Sequence, residues 1–257
     1  MSFSQNFLNL DAQGIDDLRW DDEIKAYRFN RHARLKSNKK VSNRELFLII
    51  RRENKATAKG ASELADQLLA DNISLGDWQR QMARIIKDQH LRLLRFGKGG
   101  AERTFANDYL NTANLLRTEH YSSLRKLAGE LIQGNLTERQ FKNRVTQQVM
   151  WTKSSYETAK LAVMQENGVF VARRRLGSCA PHCPECISYA MRGWQPIRDI
   201  IPPGVACRCG GNCCCDVQPQ LGPNFTVKRL SPRNIRRIIE ANTSPDELQA
   251  IMSQNNS

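Results

Sequence analysis

The sequence predicts a mainly α-helical body carrying a small cysteine-rich, zinc-stabilised α+β module. Three observations predict it. Apolar residues recur at three- and four-residue spacing through the middle of the chain, two capping signatures open such runs, and all eight cysteines fall between positions 179 and 215. At 257 residues the chain fits one large domain with a small appendage, or two modest domains. Four segments are expected: a basic N-terminal arm over 1–42, a helical body over 43–177, the cysteine-rich metal-binding module over 178–217, and a strand-and-helix tail over 218–257.

The arm has a polar leader followed by YRFNRHARLKSNKK, in which Lys and Arg crowd positions 28 to 40 around His32. It carries little of the apolar periodicity that would fix it to a core. From Asn43 helical character takes over. Leu46, Ile49 and Ile50 make one apolar face, and Leu64, Leu68 and Leu69 make another after the polar RRENKATAKG. A stronger helix opens at NISLGDW. Ser74 is its cap, Asp77 stands where a capping box needs an acid, and Trp78, Met82 and Ile86 fall four residues apart, widened by Ile85 and Leu93. FGKGGAE then makes a turn; it lacks the spaced glycines and terminal Lys-Ser or Lys-Thr of a phosphate loop.

Residues 102–131 read as another long helix through Phe105, Tyr109, Leu115, Leu116, Leu124 and Leu127, with Gly134 suited to stop the chain. The earlier grammar then returns 63 residues on. Asn135, Leu136 and Thr137 match Asn72, Ile73 and Ser74, Thr137 with Gln140 repeats the box, and Phe141, Val145 and Val149 repeat the stripe. A further helix over about 152–166 ends at Gly168, and VFVARRRLG supplies a strand leading into the cysteines. In the tail, NFTVKRL reads as a strand, and SPRNIRRII and TSPDELQAI as short helices with Pro at the first position. His90 and His120 sit within charged helical stretches and read as surface histidines.

The cysteines are Cys179, Cys183, Cys186, Cys207, Cys209, Cys213, Cys214 and Cys215, with His182 among them. Two dense clusters twenty residues apart suit a tetrahedral ion, because each tight turn can aim two sulfurs at one centre. The preferred ligands are Cys183, Cys186, Cys213 and Cys215. If the last triplet is extended, its outer pair points one way and Cys214 the other. Cys207 or Cys209 can replace a member of the second pair, Cys179 or His182 one of the first, and the whole set could hold two ions. Trp194, Ile197 and Ile201 can cover one side. Glu185 gains no role from adjacency alone, and no serine or cysteine motif is tied to a histidine, so no enzyme activity is expected.

The formal charge of +13 favours phosphate backbones, anionic membrane surfaces or acidic proteins. No basic segment precedes an apolar run, so no secretory signal is expected, and no stretch approaches the ~20 apolar residues of a membrane span. A reducing compartment follows, where clustered cysteines more often bind metal than pair. Basic residues recur in RRENK, RIIKDQHLRLLRFGK, RRR and KRLSPRNIRR, without a recognition helix setting or finger spacing. Any contact with DNA is expected to be non-specific and salt-dependent.

ISLGDWQRQMARIIKDQH, then RTEHYSSLRKLAGELIQGNLTERQFKNRV, then RRRLG leading to CPEC and CRCGGNCCC resemble the minor head, or head morphogenesis, proteins of tailed phages and prophages. The resemblance covers roughly residues 60–216. It implies a helical region followed by a cysteine-bearing portion, association with portal and capsid proteins in a multicopy assembly, proximity to packaged DNA, and a role in head assembly or genome delivery. It implies a virion location, at the head or portal vertex, with host cytoplasm as the site of assembly. The family pattern touches Cys183, Cys186, Cys213 and Cys215. It often has a basic residue between the last two, where this chain has Cys214. The alternative function is a non-specific nucleic-acid-binding protein stapled by structural zinc.

Overall fold

The computed structural model describes Ile15 and residues 18–23, 26–29, 40–177 and 181–220. The run 30–39, Cys179 and the tail elements expected beyond 220 lie outside these residues. The fold is mainly helical with two small sheets. It divides into two compact units, one drawn from Met1–Ala159 and Gly210–Asn212, the other from Lys160–Cys209 and Cys213–Ser257. No described helix is long and apolar enough to cross a membrane.

The first unit is built on two helical hairpins. α1 (Asn43–Leu69) turns into α2 (Leu75–Lys98), while α3 (Ala106–Leu115) runs through a π-helical turn, Leu116–His120, into α4 (Tyr121–Ile132), which turns into α5 (Glu138–Met150). The two turns are alike. Asp71 and Gly134 each take a positive φ, 56° and 70°. The next amide reaches back to close a Schellman motif, Asn72 to the Gln67 carbonyl at 2.9 Å and Asn135 to the Glu130 carbonyl at 3.0 Å. Ser74 and Thr137 then cap α2 and α5. The Thr137–Gln140 box is reciprocal, whereas Asp77 accepts from the Ser74 hydroxyl rather than its backbone N–H.

The core keeps the same offset of 63 residues. Ala61, Leu64, Ala65, Trp78, Met82 and Ile86 are buried in the first hairpin, as are Leu124, Leu127, Ala128, Phe141, Val145 and Val149 in the second. All of them share one apolar cluster, in which the Trp78 and Phe141 rings lie 5.1 Å apart. The repeat read from the sequence is therefore a repeat of whole hairpins, each burying its stripe against the other.

Part of the segment expected as a free arm is docked. β1 (Leu18–Asp21) and β2 (Ala26–Phe29) form an antiparallel hairpin. Leu18, Tyr27 and Val41 are buried with Ile49, Ile50, Leu93, Phe96 and Tyr156, and the Tyr27 hydroxyl donates to the Phe96 carbonyl at 2.5 Å. These anchors are single residues spread over a polar stretch, too sparse to register as a period.

The structure also corrects the reading of two histidines. His90 and His120 are buried, at 0% and 3% exposure, with their Nε2 atoms 2.9 Å apart. His90 Nδ1 lies 2.7 Å from Ser155 Oγ, and His120 Nδ1 lies 3.3 Å from Gln148 Oε1. Gln148 Nε2 donates to Ser123 Oγ at 2.6 Å, which fixes its oxygen toward His120. The network then has one consistent direction with both rings neutral: Ser155 to His90, His90 to His120, His120 to Gln148, Gln148 to Ser123. Burial, reinforced by His120, pushes His90 down to about 3. Burial also lowers His120, against the opposing pull of Gln148 and Glu119.

In the second unit, α6 (Lys153–Glu166) enters from its Lys160 end and is followed by β3 (Val171–Arg175), α7 (Pro184–Met191), β4 (Trp194–Pro196) and β5 (Asp216–Pro219). The strands form one antiparallel sheet in the order β4-β3-β5. The strand expected to close the helical body is thus the centre of the module's sheet. Leu161, Val169, Ala172, Ile197, Ile200 and Val217 make its apolar core, and Lys160 pairs with Asp216 at 2.7 Å.

Candidate metal centre

Three local structures bring the cysteines together. Cys183 is the N-cap of α7, Pro184 takes the first helical position, and Cys186 follows on the first turn, so the C-x2-C pair opens a helix. Cys207 and Cys209 come from the loop after Ile201, which the Tyr189 hydroxyl holds to α7 through the Ala206 carbonyl at 2.8 Å. Cys213 and Cys215 lead directly into β5, whose Asp216 pairs with Arg175 of β3. Cys214 is disulfide-bonded, whereas the two cysteines flanking it remain thiols. Cys213 and Cys215 are buried in the cluster and Cys214 is not among its members, while the Cys214 backbone runs so close to Gly177 that a Cβ there would lie 2.1 Å from its carbonyl oxygen.

The sulfurs form two groups that could each hold a metal ion. Cys183, Cys186, Cys207 and Cys209 make one, Cys186, Cys213 and Cys215 the other, and within each group every ligand atom lies within 4.8 Å of the rest. The four preferred ligands are therefore distributed over both groups, with Cys186 common to them. Cys207 and Cys209, read from sequence as substitutes for the later pair, instead complete the group of the earlier one. Cys186 Sγ lies 3.9 Å from Cys209 Sγ and 3.6 Å from Cys213 Sγ.

His182 stands beside the second group. Its Nε2 is 3.1 Å from the Gly177 carbonyl, and its Nδ1 is 3.9 Å from Cys215 Sγ. Donation from Nε2–H to the carbonyl fixes the tautomer and leaves the Nδ1 lone pair directed at the sulfur side, the usual way a backbone acceptor orients a metal-binding imidazole.

The residue that sequence reading missed is Arg174. RRR reads as a surface charge run, but alternation along β3 puts its middle member inside at 2% exposure. Arg174 Nη1 donates to the Ile201 and Pro202 carbonyls at 2.8 and 3.2 Å. Its Nη2 faces three sulfurs, Cys213 at 3.4 Å, Cys186 at 3.5 Å and Cys207 at 3.8 Å. Burial alone would lower this guanidinium, but Cys213, Cys186 and Cys207 outweigh burial and raise it. The signal in the sequence was the position of the arginine, two residues after the buried Ala172 in a strand.

The thiols themselves are unequal. Hydrogen bonding within the cluster, chiefly from Cys213, brings Cys215 down to about 6, with the Gly177 backbone and Arg174 helping. Cys183 is lowered because the Cys186 amide and Cys209 outweigh its burial. Cys213 and burial push Cys207 up to about 12, and burial raises Cys186 and Cys209. A bound cation would favour the thiolate at every one of these positions and reverse the upward shifts. Glu185, the acid between the first two cysteines, pairs with Arg208 at 2.9 Å.

Comparison of the chain with protein-family models, with curated proteins and with solved structures finds no match.

Proposed function

We propose that the protein is a zinc-stapled structural component of a tailed-phage head, working at or near the portal vertex in head assembly or genome delivery. The observation that carries the structural role is the donor set of the first cysteine group: four thiols, Cys183, Cys186, Cys207 and Cys209, within one tetrahedron's span. Zn–S bonds of about 2.3 Å give sulfur–sulfur edges of about 3.8 Å, and within this group the Cys186–Cys209 separation of 3.9 Å suits that edge. Four thiolates fill the coordination sphere and leave no position for a reacting water, which is the mark of a structural rather than catalytic ion. Such an ion supplies rigidity where a short segment cannot build a large core.

The head location rests on the resemblance over residues 60–216. The expected partners are portal or capsid proteins, with the protein present in several copies. Co-sedimentation of the purified protein with portal assemblies, and its position in a particle reconstruction, test the proposal. Binding to the portal with density at the vertex supports it. Absence of both association and density would remove it.

A second reading, general contact with nucleic acid, is favoured by one feature. Arg44, Arg51, Lys55 and Lys59 are exposed at spacings that align them on one face of α1, a basic stripe about 22 Å long. If these four charges each neutralise a phosphate, the log–log salt slope of duplex binding has a share of about −3.6 from them. Arg51→Ala with Lys55→Ala should flatten the slope by about 1.8. An unchanged slope excludes the stripe from the contact.

A further inference from the structure

The geometry points to a two-metal thiolate centre in which Cys186 is a shared ligand, Cys183, Cys207 and Cys209 complete the first ion's shell, and Cys213, Cys215 and His182 Nδ1 complete the second's. This rests on the zinc reading above and deepens it.

Four observations support two ions over one. Cys186 alone belongs to both sulfur groups, and it is wholly buried between a neighbour in each, Cys209 at 3.9 Å and Cys213 at 3.6 Å. The second group has three sulfurs, one short of a tetrahedron. His182 stands beside it with a fixed tautomer, outside the set of sulfurs that all lie within 4.8 Å of one another but with its Nδ1 3.9 Å from Cys215 Sγ. That is close to the N···S edge of about 3.5 Å that a Zn–N bond of about 2.0 Å and a Zn–S bond of about 2.3 Å give, so that a small ring movement brings it in as the fourth ligand. The chain thereby offers seven donors, which fill two tetrahedra only if one sulfur is shared; one ion would leave Cys213, Cys215 and His182 without a role in coordination.

Charge supports the same count. Six thiolates surround the two positions. Two divalent ions offset four of their six negative charges, and the buried Arg174 offsets a fifth. The guanidinium is placed for this: Nη2 faces the shared Cys186 together with Cys207 from the first group and Cys213 from the second. It sits over the junction, beside ligands of both ions, where one cation can offset the residual negative charge of the whole cluster. Each thiol gives up its proton as its bond to the metal forms, so loading both positions releases protons and is favoured by rising pH.

The test uses reduced full-length protein loaded with cadmium-113, a spin-active ion that accepts the same ligands. Two equal resonances are expected, split by coupling through the shared sulfur, with the all-sulfur ion downfield of the one holding nitrogen. Labelling histidine with nitrogen-15 should split only the upfield line. Cys209→Ser should move mainly the downfield line and His182→Asn the upfield one; these peripheral changes keep the test usable if Cys186→Ser fails to fold. A single resonance with one bound ion overturns the two-metal centre while leaving the zinc staple standing. Two uncoupled resonances overturn the shared ligand. No bound ion removes both.

Discussion

Acid should loosen the helical unit through its histidine pair, by an amount that follows from burial. In the unfolded chain His90 takes up a proton near its ordinary value of 6.5, and in the folded chain this falls to about 3. Between those values the unfolded chain binds more protons than the folded one. The stability contributed is therefore complete above pH 6.5 and is lost as the pH falls, at a limiting rate of about 1.4 kcal/mol per pH unit. Integration from pH 7 to pH 5 gives a loss of about 2 kcal/mol for His90 alone, and His120, lowered in the same direction, adds to it. The clean comparison is His90→Gln, whose side chain can accept from Ser155 and donate to His120 but cannot take a proton. Urea unfolding followed by helical circular dichroism at pH 7, 6 and 5 measures the difference. The parent should lose about 2 kcal/mol more than the variant across this range, because the variant lacks the proton uptake of His90. Parallel pH profiles would refute the neutral, directed network.

Glycine replacements probe the hairpins and the module. Gly60 lies within α1 with open space around its Cα and an ordinary φ, so Gly60→Ala should stabilise by about 1 kcal/mol. Gly134 has equally open space but a φ of 70°, so Gly134→Ala should cost about 1 kcal/mol, all of it conformational; thermal melts of the pair check both signs. At Gly211 a Cβ would sit 1.7 Å from the Met150 carbonyl oxygen, so Gly211→Ala should force the Gly210–Asn212 segment to move, seen as faster amide exchange there and in the end of α5. Arg174→Met keeps much of the volume but removes the donor to three sulfurs, and chelator competition should show metal affinity reduced by about 10- to 100-fold. Unchanged affinity would leave Arg174 a purely structural residue.

Much of the helical architecture was legible because it is written in local chemistry. Ser74 and Thr137 announce helix starts, and Trp78, Met82 and Ile86 share one face with Leu93, whose odd offset from them a strand would put on the opposite side but a helix buries with them. The 63-residue repeat was legible for the same reason, although its earlier half, Ala61 with Leu64 against Leu124 with Leu127, was obscured by an alanine standing where its counterpart is leucine. The docking of Tyr27 and the burial of His90 were not legible. Each depends on partners far along the chain, Phe96 for the first and His120 for the second, and a polar side chain carries no local sign that its partner is waiting. Within the module, the spacing of cysteines marked a metal site but not the division of ligands. Cys207 and Cys209 join the C-x2-C pair because the loop after Ile201 is held to α7, a tertiary contact from Tyr189. Arg174 was hidden in a run of three arginines until the strand's alternation separated it from its neighbours.

Native mass spectrometry of protein purified under reductant, before and after strong chelation, tests the coupling of metal to fold most directly. The account predicts a stoichiometric zinc increment that disappears with the chelator, together with loss of amide-exchange protection in α7 and across residues 205–217. An increment of zero, or full protection retained in the stripped protein, would contradict it.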